Sequence, residues 1–317
     1  MRFVTAALAA FLGATTAFAG ECPDTLRIMV PASPGGGYDQ TARALQKVMI
    51  DEGLSSNVQV FNVPGAGGTV GLVQLATQSK GDGEVLMIAA NVMIGAILTN
   101  KPPVTLADTR PVSRLTAEYE AIVVPASSPI KDIKELVEKL KADPGAVSWG
   151  GGSAGGIDQI TAVLLAEAAG VDPQKVNYIA HSGGGEALAS ILGGSVTVGV
   201  NTLSEFRDQI EAGQLRLLAT TGAERNTLFD APTLKEAGYD VDSQTWRMIV
   251  AAPGVSDEDY ARLSACVAAT LETKAWKDTL ATRNWTPSVL AGEPFVAFVQ
   301  KETELMDATL RKIGFAQ

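Results

Sequence analysis

Histidine is almost missing from this chain: His181 is the only one in 317 residues. Cysteine is nearly as scarce, with Cys22 and Cys266 alone. Zinc-type sites gather several His, Cys or carboxylate donors, and one histidine without clustered cysteines supplies no such set. Neither a metal nor a cofactor is therefore expected. Basic residues are also short. There are 25 Lys and Arg against 35 Asp and Glu, a formal net charge of −10 and a pI near 4.7. So acidic a chain is a poor partner for nucleic acid or for an anionic membrane surface. Beyond the N-terminus no apolar run reaches eighteen residues, which leaves no candidate membrane-spanning helix there. No fixed short repeat and no low-complexity segment is visible.

What is present begins with a leader. Met1-Arg2 is a short basic region, Phe3 to Gly13 is apolar, and Ala17-Phe18-Ala19 fits a small-residue cleavage site. That pattern predicts a secretory signal peptide over residues 1–19 and an extracytoplasmic location, the periplasm or its equivalent. Glu21 before Cys22 does not suit a lipoprotein site. In an oxidising compartment two cysteines are a candidate disulfide, with two buried thiols as the alternative.

Glycine is concentrated in four turns. Pro31-Ala-Ser-Pro-Gly-Gly-Gly-Tyr-Asp39 follows the apolar run Leu26–Val30 and precedes a helical pattern at Ala42, Leu45 and Met49. Gly150-Gly-Gly-Ser-Ala-Gly-Gly156 lies between Val147-Ser-Trp149 and a helix with Ile157, Ile160 and Leu164 on one face. Pro64–Gly71 and His181–Gly185 repeat the device. Glycine lets the backbone approach a ligand closely and take positive φ. The free N–H groups of the following helical turn carry the positive end of its dipole, so such turns attract anions without a basic side chain. Residues 31–42 and 147–174 contain no Lys or Arg at all.

Strand patterns at 26–31, 58–63, 85–90, 121–125, 147–149, 176–180, 196–200, 215–219 and 247–252 alternate with helical ones at 39–52, 67–78, 131–142, 157–169, 184–193 and 203–212. This predicts an α/β chain of mostly parallel sheets flanked by helices. After Pro253-Gly254 only helices are expected, at 256–272, 274–283 and 293–312, as if the chain returns to cover an earlier sheet. Chain crossovers are expected near 110–120 and 220–245.

The order Pro34-Gly-Gly-Gly-Tyr-Asp-Gln-Thr-Ala-Arg43, Asn62-Val-Pro-Gly-Ala-Gly-Gly-Thr-Val-Gly71 and Lys80-Gly-Asp-Gly83 resembles the solute-binding receptors of tripartite tricarboxylate transporters, the Bug-type receptors. Trp149–Gly156, His181–Gly185, Leu192–Ser195, Ala223-Glu-Arg225, Ala231–Gly238 and Trp246–Pro253 continue the likeness. The resemblance implies a two-lobed Venus-flytrap receptor (the type II periplasmic-binding-protein architecture). It would be a monomer, with lobe 1 at 20–115 and 240–317 and lobe 2 at 116–239. It implies a small carboxylate ligand, of citrate or C4-dicarboxylate type, and delivery to large and small membrane permease subunits. Carried onto this chain, the ligand-binding residues are Ser33, Pro34, Gly35, Gly36, Gly37, Tyr38 and Asp39 in the first turn, with Gly67. From the other lobe come Trp149, Gly151, Gly152, Ser153, Gly155, Gly156, His181 and Asn201. Asp39 has a plainer reading as a helix cap paired with Arg43. His181-Ser182 stands where the family commonly has a cation.

Three alternatives accompany this reading. The same clamp could serve a sensor that presents its ligand to a membrane kinase. Gly151-Gly-Ser-Ala-Gly155 matches a serine-hydrolase elbow, but the sole histidine comes too early for the chain order of that fold. Gly150-Gly-Gly-Ser-Ala-Gly155 matches a dinucleotide fingerprint, but Ala180-His181 stands where its acid is expected. No catalytic residue is expected.

Overall fold

The computed structural model describes residues 22–226, 228–312 and 314; the expected signal peptide lies outside them. The chain runs β1 (Thr25–Val30), α1 (Gly37–Asp51), β2 (Asn57–Asn62), α2 (Thr69–Gln78), β3 (Val85–Ala90), α3 (Asn91–Asn100) and the long β4 (Arg110–Pro125). It continues through α4 (Ile133–Ala142), β5 (Ser148–Gly151), α5 (Ile157–Ala168), β6 (Asn177–Ala180), α6 (Gly184–Leu192), β7 (Val198–Thr202), α7 (Leu203–Glu211) and β8 (Leu215–Thr220). It ends with β9 (Gln244–Ala251), α8 (Asp257–Glu272), α9 (Lys274–Arg283), β10 (Thr286–Ala291) and α10 (Gly292–Lys312).

The strands form a mixed α/β sheet in the order β2-β1-β3-β9-β4-β7-β5-β6, with β8 and β10 also on β4. The parallel pairings are those of β1 with β2 and β3, and of β5 with β6 and β7. These strands alternate with helices, as βαβ units require. β3, Val-Leu-Met-Ile-Ala-Ala, is buried at every position, as a strand covered on both faces should be. Antiparallel pairings enter through β4 and β9. β10 is a strand absent from the sequence reading, which expects only helices after Pro253-Gly254 and assigns nothing to 284–292. It carries Pro287, is mostly exposed, and pairs only with β4 through an irregular register. A strand that short and polar gives little apolar signal.

β4 organises the two lobes. Residues 110–119 pair with β9, whereas Glu120–Val123 pair with β7 and Ala121–Pro125 with β8. The strand thus changes neighbours between Tyr119 and Glu120. The returning chain is tied at the same place: Thr221 N–H donates to Glu120 O at 3.0 Å, and Glu120 N–H donates to Thr221 Oγ1 at 2.9 Å.

Each lobe has its own core. One gathers β1, β3, β9, α1 and α8 around Leu26, Leu45, Leu86 and Ile249; the other gathers Ile122, Leu136, Trp149, Leu165 and Val200. Helix α5 serves both, sending Ile157, Ile160 and Val163 to the first core and Ala162, Leu165 and Ala166 to the second. The lobes are therefore in contact across the cleft. Cys22 and Cys266 form a disulfide with Cα atoms 4.7 Å apart, fastening the segment before β1 to α8.

Candidate functional site

The first and third Gly-rich turns have the same backbone. Gly35 (φ +89°) and Gly155 (φ +74°) take the left-handed conformation that favours glycine. Gly36 (φ −80°, ψ 176°) and Gly156 (φ −74°, ψ 171°) then cap α1 and α5 with no side-chain hydrogen bond. Each turn is closed by a side chain four residues on: Asp39 Oδ2 accepts from Gly35 N–H at 3.1 Å, and Gln159 Oε1 accepts from Gly155 N–H at 2.7 Å. Asp39 also takes Arg43 Nε at 2.8 Å and Asn62 Nδ2 at 3.1 Å. Burial alone would raise its pKa; these three bonds outweigh it and lower the pKa.

All four turns meet at one cavity of about 70 Å³ between the lobes. Gly36, Gly37 and Tyr38 enter from the first turn, Gly67 from the second, Gly152 and Ser153 from the third, and Ser182, Gly183 and Gly184 from the fourth. Three of these positions leave no room for a side chain, Gly37, Gly67 and Gly184. A Cβ on Gly37 would lie 2.0 Å from Arg247 Nη2, and one on Gly184 would lie 1.6 Å from Glu205 Oε2.

Those neighbours belong to a buried group of charges. Arg247 of β9 is 1% exposed. Its Nη1 pairs with Glu118 of β4, and its Nη2 lies 3.7 Å from Glu205 Oε1 of α7. Glu205 Oε1 also accepts the Gly37 N–H at 2.9 Å. A carboxylate of the second lobe therefore sits on a helix N-terminus of the first. Asp158 of α5 accepts the Gly152 N–H at 2.6 Å. Glu120 of β4 accepts from Thr245 Oγ1 at 2.7 Å and, as a neutral acid, can donate to Asp158. Adjoining buried carboxyls resist ionising together. Burial, then the Asp158 charge, hold Glu120 well above the usual carboxylate range. Burial pushes Asp158 up to about 6 against the Gly152 N–H, and Glu205 up to about 7 against Arg247. Burial would discourage the Arg247 charge, but Glu118 and Glu205 outweigh it. Among the described residues no metal-holding group of His, Cys, Asp and Glu occurs, and no helix is long and apolar enough to cross a membrane.

Residues 41–315 match the family model of the tripartite tricarboxylate transporter family receptor. The chain belongs to this receptor family. It is similar to the BugT protein of Bordetella pertussis, 27% identical over 295 residues that cover 91% of this chain and 89% of the relative. Among solved structures it is similar to the periplasmic binding protein BugD, with a TM-score of 0.82 and 24% identity over 92% of this chain and 98% of that one. A Rhodopseudomonas palustris protein solved with adipate has a TM-score of 0.82 and 22% identity over the same shares. These last two likenesses are ones of fold, a two-lobed periplasmic-binding architecture.

Within the receptor, the residues singled out from sequence fall into three groups. Gly36, Gly37, Tyr38, Gly67, Gly152, Ser153 and Asn201 line the cavity. Ser33, Pro34, Gly35 and Asp39 belong to the first turn without lining it, as Gly151, Gly155 and Gly156 belong to the third. Trp149 is fully buried in the second core, away from the cavity wall. His181 also stands off the wall, its Nδ1 3.0 Å from Gly151 O. The sequence reading did not assign Asp158, Glu205 or Arg247 to the site. Their signal was present: a single charge inside the apolar strand Trp246-Arg-Met-Ile-Val250, and an acid in the first turn of each of two helices.

Proposed function

We propose that this chain is an extracytoplasmic receptor that captures a small carboxylate-bearing solute between its lobes and passes it to a membrane permease of the tripartite tricarboxylate type. The observation that carries this reading is the convergence of four Gly-rich turns, two from each lobe, on one cavity. All four helices that follow, α1, α2, α5 and α6, begin at glycine caps that make no side-chain hydrogen bond. Their N-terminal N–H groups are suited to an anion. Closure would bring both sets of donors around the solute and exclude water, which strengthens charge-assisted bonds. In this reading the hinge is the point where β4 changes neighbours, between Tyr119 and Glu120, with the returning chain beside it at Thr221 and Ser243. The leader at 1–19 would send the protein out of the cytoplasm.

A hydrolase is less well supported. Ser153 Oγ is buried without a hydrogen-bond partner, and the single histidine faces Gly151 O. A nucleophile needs a base within reach. Carboxylates bound by relatives of the same fold, such as the adipate of the R. palustris protein, guide the choice of test solutes. A thermal-shift screen with citrate, malate, succinate, adipate and aromatic carboxylates tests the reading. A cognate solute at about 100 times its Kd stabilises by about 2.7 kcal/mol. Silence across small carboxylates of every kind would remove it.

A further inference from the structure

The cavity is poorly arranged for a ligand that is only anionic. Among the described residues, Arg247 is the sole Lys or Arg on its wall, and both terminal nitrogens already face carboxylates, Glu118 and Glu205. Asp158 and Glu205 share that wall, with Glu120 behind Asp158. Four carboxyl groups thus face one guanidinium. The N–H donors best placed for an incoming carboxylate are also engaged, Gly37 by Glu205 and Gly152 by Asp158. A di- or tricarboxylate would add negative charge where the wall already carries an excess, and at short range in a low-dielectric site like charges repel strongly.

Three buried donors nevertheless await an acceptor: Arg247 Nε, Ser153 Oγ and the Tyr38 hydroxyl have no hydrogen-bond partner, although all three residues line the cavity. Unpartnered buried donors are costly and native proteins seldom leave them so. The wall therefore offers donors for one carboxylate and acceptors, Asp158 and Glu205, for something positive. On Glu205, Oε2 is met only by Asn201 Nδ2 at 3.3 Å, a long contact for a charged oxygen.

We propose that Asp158 and Glu205 form a cation subsite, and that the solute of this receptor carries an ammonium or comparable cationic group beside its carboxylate. This rests on the receptor reading above and narrows its solute class from di- and tricarboxylates to zwitterions. Asp158 and Glu205 then set specificity. An ammonium cancels the excess charge that a second carboxylate would increase, and a single solute carboxylate meets Arg247 and Ser153.

The test is calorimetry on the mature, disulfide-bonded protein with matched pairs that differ by one amino group: succinate and aspartate, glutarate and glutamate, adipate and 2-aminoadipate, propionate and β-alanine. In at least one pair the amino member should bind tenfold or more tightly than its partner. Glu205→Gln and Asp158→Asn should each erase most of that ratio, with melting curves as the folding control. If either variant does not fold, the ratio in the unaltered protein decides alone. Plain di- or tricarboxylates, citrate and malate included, binding more tightly than every amino-bearing solute would overturn the cation subsite and leave the receptor reading standing. A wild-type ratio that survives both substitutions would overturn the assignment to these residues. Absence of binding by any member, amino-bearing or not, would remove the receptor reading and this inference together.

Discussion

The two lobes build the same turn and complete it differently. In each, a glycine at positive φ precedes a glycine cap, and a side chain four residues on accepts the first N–H. In the second lobe the neighbouring Gly152 N–H is satisfied from within, by Asp158 of the helix that follows. In the first lobe the Gly37 N–H is satisfied from outside, by Glu205 of the other lobe. The turn of the second lobe is thus completed within its own lobe, and that of the first lobe across the cleft. The lobes also differ in how they are fastened: the disulfide lies wholly in the first.

The largest effect should come from the fastening. Cys22 and Cys266 are 244 residues apart, and a loop of that length corresponds to about 5 kcal/mol in the chain-entropy model, with about 2–5 kcal/mol typical for removal of a native bridge. The double variant Cys22→Ser/Cys266→Ser should melt roughly 10 °C lower. If the first lobe depends on the bridge, its amides should lose hydrogen-exchange protection before those around Trp149. Uniform loss across both lobes, or an unchanged melt, would break the contrast.

Next come the glycines facing Glu205. Gly37→Ala and Gly184→Ala place a methyl on Arg247 and Glu205, both buried and engaged with each other, so neither can retreat without leaving a charge unpaired. Solute affinity should fall about a hundredfold, about 2.7 kcal/mol. Gly36→Ala is the matched control. Its Cβ would meet Gly184 N at 3.5 Å and Glu205 Oε2 at 3.7 Å, ordinary contact, and affinity should change less than threefold. Equal loss in all three, measured by calorimetry, would mean that the turn rather than the Glu205 contact matters.

These residues also mark where sequence reading stops. The Gly-rich turns were legible because their chemistry is local: three glycines between an apolar run and an amphipathic helix say where backbone N–H groups lie free. The charged group was not, because Glu118, Glu120, Asp158, Glu205 and Arg247 come from four elements that only β4 and β9 bring together. Each carries a local signal, an acid in a first helical turn or a charge inside a strand, but nothing local joins one to another. Charges also hid the first half of β4, where Arg110, Arg114 and Glu118 interrupt any apolar pattern although the strand is largely buried. Helix α3, Asn-Val-Met-Ile-Gly-Ala-Ile-Leu-Thr-Asn, was missed for the opposite reason. It is apolar nearly all round, so it has no polar face from which a 3.6-residue period can be read.

A smaller effect follows from pH. Glu205 and Asp158 are raised in the folded protein, to about 7 and about 6, above the ordinary carboxylate range that they recover when unfolded. The folded state then binds more protons than the unfolded state between roughly pH 4 and 7, so these groups favour folding below that window and lose the contribution as pH rises through it. The ligand-free protein should melt several degrees higher at pH 5 than at pH 8. Glu205→Gln should flatten the upper part of the slope, and Asp158→Asn the lower part. A melting temperature that instead rises between pH 5 and 8 by the same amount in all three proteins would show that Glu205 does not occupy the first turn as described.

The smallest effect should be at Asp39, where the two turns differ by a single charge. Its counterpart Gln159 closes the second turn with a neutral amide. Asp39 has in addition Arg43, half exposed, and Asn62. An ion pair with one exposed partner contributes little, typically below about 1 kcal/mol. Asp39→Asn keeps an oxygen for the Gly35 N–H, gives up the Arg43 pair and turns its NH2 toward Asn62, which still has Ala32 O as acceptor. Stability should fall by about 1 kcal/mol or less, and solute affinity should shift less than threefold, because Asp39 stands behind the turn and off the cavity wall. A tenfold change in affinity without a change in melting temperature would mean that the first lobe tunes its turn by charge. The likeness between the two turns would then stop at the backbone.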